Sequence, residues 1–195
     1  MNKLLALAAF GLIAAGTPGP NNIMLWASGV KFGFKATLRH MIGTALGLGS
    51  MAATTAAGLG ILIETFPQIE LALKIIGSIY LLYLSYQVAG IGSLQQAETE
   101  RPLSIIQAMA FQFVNPKAWF FALTAVSSFR PPEFSLLLGS ALVVLTMMVV
   151  ILPAVSLWAA GGTLINRFIS NERTRRVFSI VLALMLVGTV VFIWL

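Results

Sequence analysis

The sequence has no cysteine, no aspartate and one histidine, His40. Without cysteine there can be no disulfide, no thiol nucleophile and no thiolate metal site. A lone histidine leaves a dedicated soft-metal site without enough ligands, so no metal is expected. A Ser-His-Asp triad has no third member, and no glycine-rich phosphate loop is present to hold ATP. These absences argue against an enzyme and against any cofactor. Charge is scarce too. Asp, Glu, Lys and Arg make up 9% of the 195 residues, where a water-facing domain carries about 25%. With 58% hydrophobic residues and a mean hydropathy of +0.94, most of the surface must face lipid.

The net charge of +6 does not point to nucleic acid. The basic residues are thinly spread between apolar runs, with no basic face interleaved with aromatics. In a membrane protein such an excess sets orientation. Six apolar runs are long enough to cross a bilayer: Leu4–Leu25, Met41–Ile63, Leu71–Ile91, Ile105–Phe129, Phe134–Ala160 and Val177–Leu195. Lys3 followed by Leu4–Ala15 also fits a cleaved signal peptide, but five further runs follow. The expectation is an all-α integral membrane domain over 1–195.

The linkers between the runs are short. Trp26–His40 holds Lys31, Lys35 and Arg39; Glu64–Glu70 is acidic; Gly92–Ser104 is the most polar; Arg130–Glu133 is a turn built on Pro131 and Pro132; Gly161–Arg176 holds four arginines. The first, third and fifth linkers carry eight Lys or Arg, against three (Lys3, Lys74 and Arg130) on the opposite side. Cytoplasmic loops are enriched in these residues. Those linkers are therefore expected on the cytoplasmic side of the membrane, with both termini outside.

The halves resemble each other. Pro20 and Pro116 lie 96 apart, and at the same offset Gly43-Thr44-Ala45-Leu46 matches Gly139-Ser140-Ala141-Leu142. Three spans per half force the second copy to enter from the other side. The six helices are then two inverted three-helix repeats, about 1–96 and 97–195, as in many secondary transporters.

Two segments carry candidate chemistry. Thr17-Pro18-Gly19-Pro20-Asn21-Asn22 interrupts the first run, where two prolines must break or kink a helix. Carbonyls freed there cannot face lipid, which sends the break toward other helices or a wet cavity. A loop ending a short first span is the plainer alternative. Asn115-Pro116-Lys117 interrupts the fourth run, beside Gln107 and Gln112. Lys117 is the one charge deep in a span and costs about 2.5–3.5 kcal/mol there unless it finds a partner or water. Snorkelling to the headgroups is its alternative.

If the breaks meet at mid-membrane, half-helix ends can hold a zwitterion. Asn21, Asn22, Gln112, Asn115 and Lys117 are the candidate substrate-binding residues, and Pro18, Gly19, Pro20 and Pro116 the helix-breaking ones. Lys117 would attract a carboxylate, with freed carbonyls and amides accepting from an ammonium. It is also a candidate proton carrier, since no acid lies deep in a span. Thr17, Thr54, Thr55 and Trp119 are candidates for the cavity lining. Trp26, Trp158 and Trp194 suit interface anchors, Gly43 and Gly47 close helix packing, and Pro153 with Gly161-Gly162 either hinges or plain kinks. His40, beside Arg39 at a span end, reads as a solvated interfacial side chain.

Pro18-Gly19-Pro20-Asn21-Asn22, then Ala27-Ser28-Gly29 and Phe32-Gly33-Phe34, resemble the LysE/RhtB family of amino-acid exporters. The likeness continues at Gly77–Leu84 and at Phe111–Trp119 with its Asn-Pro-Lys, and so covers the first four spans; the last two match by hydropathy and length. It implies six helices, efflux of an amino acid or small derivative driven by the proton motive force, and a homodimer. Related thiol-disulfide carriers need paired cysteines and cadmium exporters need more ligands, so both branches are disfavoured. A non-transporting scaffold or subunit of a larger complex is the alternative function, and a passive channel a further one.

Overall fold

The computed structural model describes residues 2–59, 65–89, 101–168 and 171–194. Among these the chain is entirely helical: α1 (Asn2–Gly16), α2 (Pro20–Thr54), a π-turn (Thr55–Leu59), α3 (Pro67–Ala89), α4 (Ile105–Val114), α5 (Pro116–Phe129), α6 (Leu136–Phe168) and α7 (Glu172–Trp194). Glu64 and the 92–100 part of the polar third linker lie outside the described residues.

Proline sets the two internal breaks. Pro18 keeps Thr17 from continuing α1, while Pro20, with its missing N–H and fixed φ, suits the first position of α2. The two helices meet at 61°. Asn115 stands before Pro116 in extended conformation (φ −94°, ψ 108°), ending α4 and beginning α5. Its side chain accepts from the Lys117 N–H at 3.2 Å, which caps α5. Upstream, Ser104 and Gln107 form a reciprocal capping box that starts α4.

α2 is not one rod. Ser28 bonds Thr37 at 2.9 Å, and Asn21 meets His40 and Thr44 at 3.2 Å each. Twenty-three residues along a straight helix would separate Asn21 from Thr44 by about 35 Å. All three pairs centre near residue 33, where Gly33 takes φ 79°, a conformation open to glycine. The expected loop at Trp26–His40 is therefore a helical hairpin with a one-residue turn. The fifth linker is corrected likewise: α6 runs unbroken through Gly161-Gly162 to Phe168.

Small residues let these helices touch. A Cβ at Gly29 would collide with the Ala159 carbonyl, at Gly162 with the Trp26 carbonyl, and at Gly43 with the Ile105 carbonyl. Gly43 thus packs as its motif suggested. Gly162 is a close contact of backbone against the Trp26 backbone. The arms of α2 pack on α6 and α4, while α3 packs on α7. One core cluster gathers Leu25, Met51, Val143, Met147 and Val155, and a second Ile23, Leu81, Phe111 and Leu186. Outward, Leu137, Ile106 and Tyr86 are 82%, 78% and 79% exposed, an apolar exterior that fits lipid.

Leu71–Ala89 and Leu136–Asn166 are each long and apolar enough to cross a membrane, and the bent pair of α1 with α2 adds a third. α4 and α5, with 10 and 14 residues, extend only about 15 and 21 Å, short of the roughly 30 Å core when taken singly. The structure is that of a helical, multi-pass membrane protein.

Candidate functional site

The breaks meet. Lys117, in the first turn of α5, sends its ammonium to the end of α1, donating to Thr17 O at 2.8 Å, to Thr17 Oγ1 at 2.7 Å and to Pro18 O at 3.4 Å. A cation at a helix C-terminus is favoured by the carbonyls and dipole it faces. The half-buried lysine therefore has its partner at the exposed end of α1. Gly19 makes room for the stem: a Cβ there would stand 2.9 Å from Lys117 Cδ.

Between the breaks lies a cavity of about 250 Å³, below the roughly 300–1,000 Å³ of drug-sized pockets. Thr17, Asn21, Asn22, Gln112, Asn115 and Lys117 line it with Gly19 and Thr44; Leu48, Phe121 and Ile151 supply apolar wall. Pro20 and Pro116 each open a helix at its rim. Asn22 Nδ2 donates to Ala15 O at 2.7 Å and Thr17 O at 2.8 Å. The Ala15 carbonyl also accepts from Trp158 Nε1 at 3.0 Å, and the Phe113 carbonyl, near the end of α4, accepts from Trp119 Nε1 at 2.7 Å. Each broken helix thus has a tryptophan on a carbonyl that its own ladder leaves open. Gln112 O, left without its usual donor because Pro116 has no N–H, accepts from Asn115 N at 3.1 Å.

The donors of α2 are less occupied. Its N-cap is Gly19, no side chain caps it, and Pro20 has no N–H to offer. The first free N–H groups are those of Asn21 and Asn22, since Ile23 N already bonds Gly19 O at 3.0 Å. An uncapped N-terminus presents the positive end of the helix dipole.

The structure places several candidate residues away from this cavity. Thr54 bonds back to Ser50 O and Met51 O, and neither it nor Thr55, in the π-turn, lines the cavity. Trp119 is drawn off the cavity by the Phe113 carbonyl. Trp26 and Trp158 face each other at 5.7 Å between helices, and Trp194 bonds Ser78 at 2.9 Å. His40 is not solvated: it is 1% exposed, because the Gly33 turn folds it back onto Asn21. Reasoning from sequence missed Thr44 and His40. Their i, i+4 spacing, continued by Leu48, was the available signal of one inward face.

A cavity that bears a lysine and several amide side chains, set between discontinuous helices of a bundle with an apolar exterior, is the architecture of a membrane translocator. The chain matches the LysE type translocator family over residues 12–194 and belongs to it. It is a transporter, not an enzyme. It is 30% identical over 187 residues to proteins named cysteine/O-acetylserine efflux protein in Escherichia coli (strain K12), Escherichia coli O1:K1 / APEC and Shigella flexneri, across 94% of this chain and 93% of each relative. No solved structure matches the chain.

Proposed function

We propose that this chain exports an amino acid or small amino-acid derivative, of the size and charge of O-acetylserine, across the cytoplasmic (inner) membrane by secondary transport driven by the proton motive force. The observation that carries the reading is the Lys117 ammonium lodged on the Thr17 backbone, where both helix breaks face one amino-acid-sized cavity. Family membership supports efflux, and the named relatives support the substrate class.

The substrate carboxylate binds Lys117 and the uncapped N-terminus of α2, at Asn21 and Asn22; Gln112 and Asn115 complete the polar wall. Its ammonium takes the place of Lys117 on the Thr17 carbonyl. Binding thus exchanges a contact within the protein, between the two broken segments, for contacts through the substrate. That exchange lets occupancy bias one half against the other. Six spans in two inverted repeats give those halves, rocking about the breaks. What supports this is that α1 packs on α6 and its counterpart α4 packs on α2, while α3 and its counterpart α7 pair with each other. Lys117 serves as proton carrier. Both termini lie outside, by the loop-charge bias, and the chain forms a homodimer.

The test is flux in proteoliposomes. Purified protein should move labelled O-acetylserine faster under an imposed proton gradient. Flux indifferent to the gradient would mean a passive channel, and no flux with any amino acid tried would favour a non-transporting scaffold.

A further inference from the structure

Behind the cavity wall sits the one histidine of the chain, buried, with no part in the scheme above. His40 Nε2 lies 3.2 Å from Asn21 Oδ1, an oxygen that also faces Gln112 Nε2 at 3.0 Å and Thr44 Oγ1 at 3.2 Å. Proton bookkeeping sorts these donors. Thr44 has a single hydrogen and a rival acceptor in His40 O at 3.0 Å. Gln112 has two, one for Asn21 and one for Ala108 O at 3.1 Å. An amide oxygen only accepts, so the ring nitrogen facing it must carry the hydrogen. His40 is therefore the Nε2–H tautomer, and with Gln112 it fills both lone pairs of Asn21 Oδ1. His40 Nδ1 is left as a buried acceptor without a partner. A buried polar atom in that state calls for a reason, and the bond made by the other nitrogen supplies one.

We infer that His40 is a positioning residue that acts through Asn21: it holds the carboxamide oxygen in the wall, so that the amide nitrogen faces the cavity as a donor for the substrate carboxylate. Asn21 lines the cavity and His40 does not, which fits a residue acting at one remove. Without the imidazole only Gln112 and Thr44 remain to hold that oxygen, and the carboxamide turns over more readily to present it, which repels a carboxylate. The inference rests on the reading of this cavity as the substrate site.

The experiment is labelled O-acetylserine transport in proteoliposomes by wild type, His40→Leu, His40→Gln, Asn21→Ala and the Asn21→Ala/His40→Leu double variant. Loss of one such hydrogen bond should raise KM by roughly tenfold in His40→Leu with little change in maximal rate. His40→Gln, whose amide N–H can replace Nε2–H, should recover most of that loss and keep the wild-type pH profile. In the Asn21→Ala background His40→Leu should add nothing. Should His40→Leu not accumulate, His40→Met serves as the second non-donor. An unchanged KM in the non-donor variant, a His40→Gln as impaired as it, or additive effects in the double variant would overturn the inference while leaving the cavity as the transport site. A flattened pH profile in His40→Gln would overturn it too, by making the imidazole a proton carrier. Absence of wild-type flux would remove the parent reading and this inference with it.

Discussion

Replacing Lys117 by methionine separates what the residue does for the fold from what it does for a substrate. Methionine keeps an unbranched stem over Gly19 but loses the charge and the donors to Thr17 and Pro18. Hydrogen bonds to a charged group contribute about 1.5–3 kcal/mol each. Removing a lysine from a bilayer interior recovers about 2.5–3.5 kcal/mol on insertion scales. The terms oppose each other without cancelling: the three bonds together outweigh the recovered insertion cost, so the melting temperature should fall while the protein still inserts and folds. A bound carboxylate has no such offset. Losing one charge-assisted bond to the substrate weakens binding by roughly 10- to 150-fold. Transport of labelled O-acetylserine in proteoliposomes, with thermal melting of the same preparations, reads both quantities. Wild-type transport by a folded Lys117→Met protein would refute the assignment.

Two further substitutions test the frame around the site. Gly162→Ala would press a methyl group against the Trp26 backbone, while the adjacent Gly161 has nothing within 4 Å of its Cβ position. Thermal melting should therefore show a loss of about 1–3 kcal/mol or more for Gly162→Ala, and for Gly161→Ala no loss or a small gain from helix propensity. Equal effects would contradict the close crossing of α2 and α6. Trp158→Phe removes one of two donors on the Ala15 carbonyl, since Asn22 remains, and should cost about 0.5–1.5 kcal/mol. Asn22→Leu also strips a donor from Thr17 and should melt lower; the reverse order would show that Asn22 does not hold the break.

What the sequence disclosed about this molecule depended on how local the signal was. Proline acts on its own backbone and its neighbours, so the breaks at Pro18–Pro20 and Asn115-Pro116 could be read without knowing the fold. The cost of a lysine in lipid is likewise independent of context, and it placed Lys117 beside a partner. Orientation around a helix axis was not legible. Trp119 and Thr54 looked equally able to face the cavity, and only packing shows that each turns to a backbone carbonyl. The reversal at Gly33 was hidden because the basic residues around it resemble a solvated loop, whereas one glycine with positive φ suffices to fold the chain back. That hairpin moved His40 from an expected interface into the wall behind Asn21, a contact between residues 19 apart that no local pattern announces.

Because the chain lacks cysteine, single cysteines can be placed without background. Ala118 lines the cavity one residue beyond Lys117, and Ala14 lines it from α1. In membranes, Ala118→Cys and Ala14→Cys should both react with a small, water-soluble thiol reagent, and O-acetylserine should slow both reactions in a saturable way. Equal labelling rates with and without O-acetylserine at both positions, or no labelling at either, would contradict a wet substrate cavity between the two helix breaks.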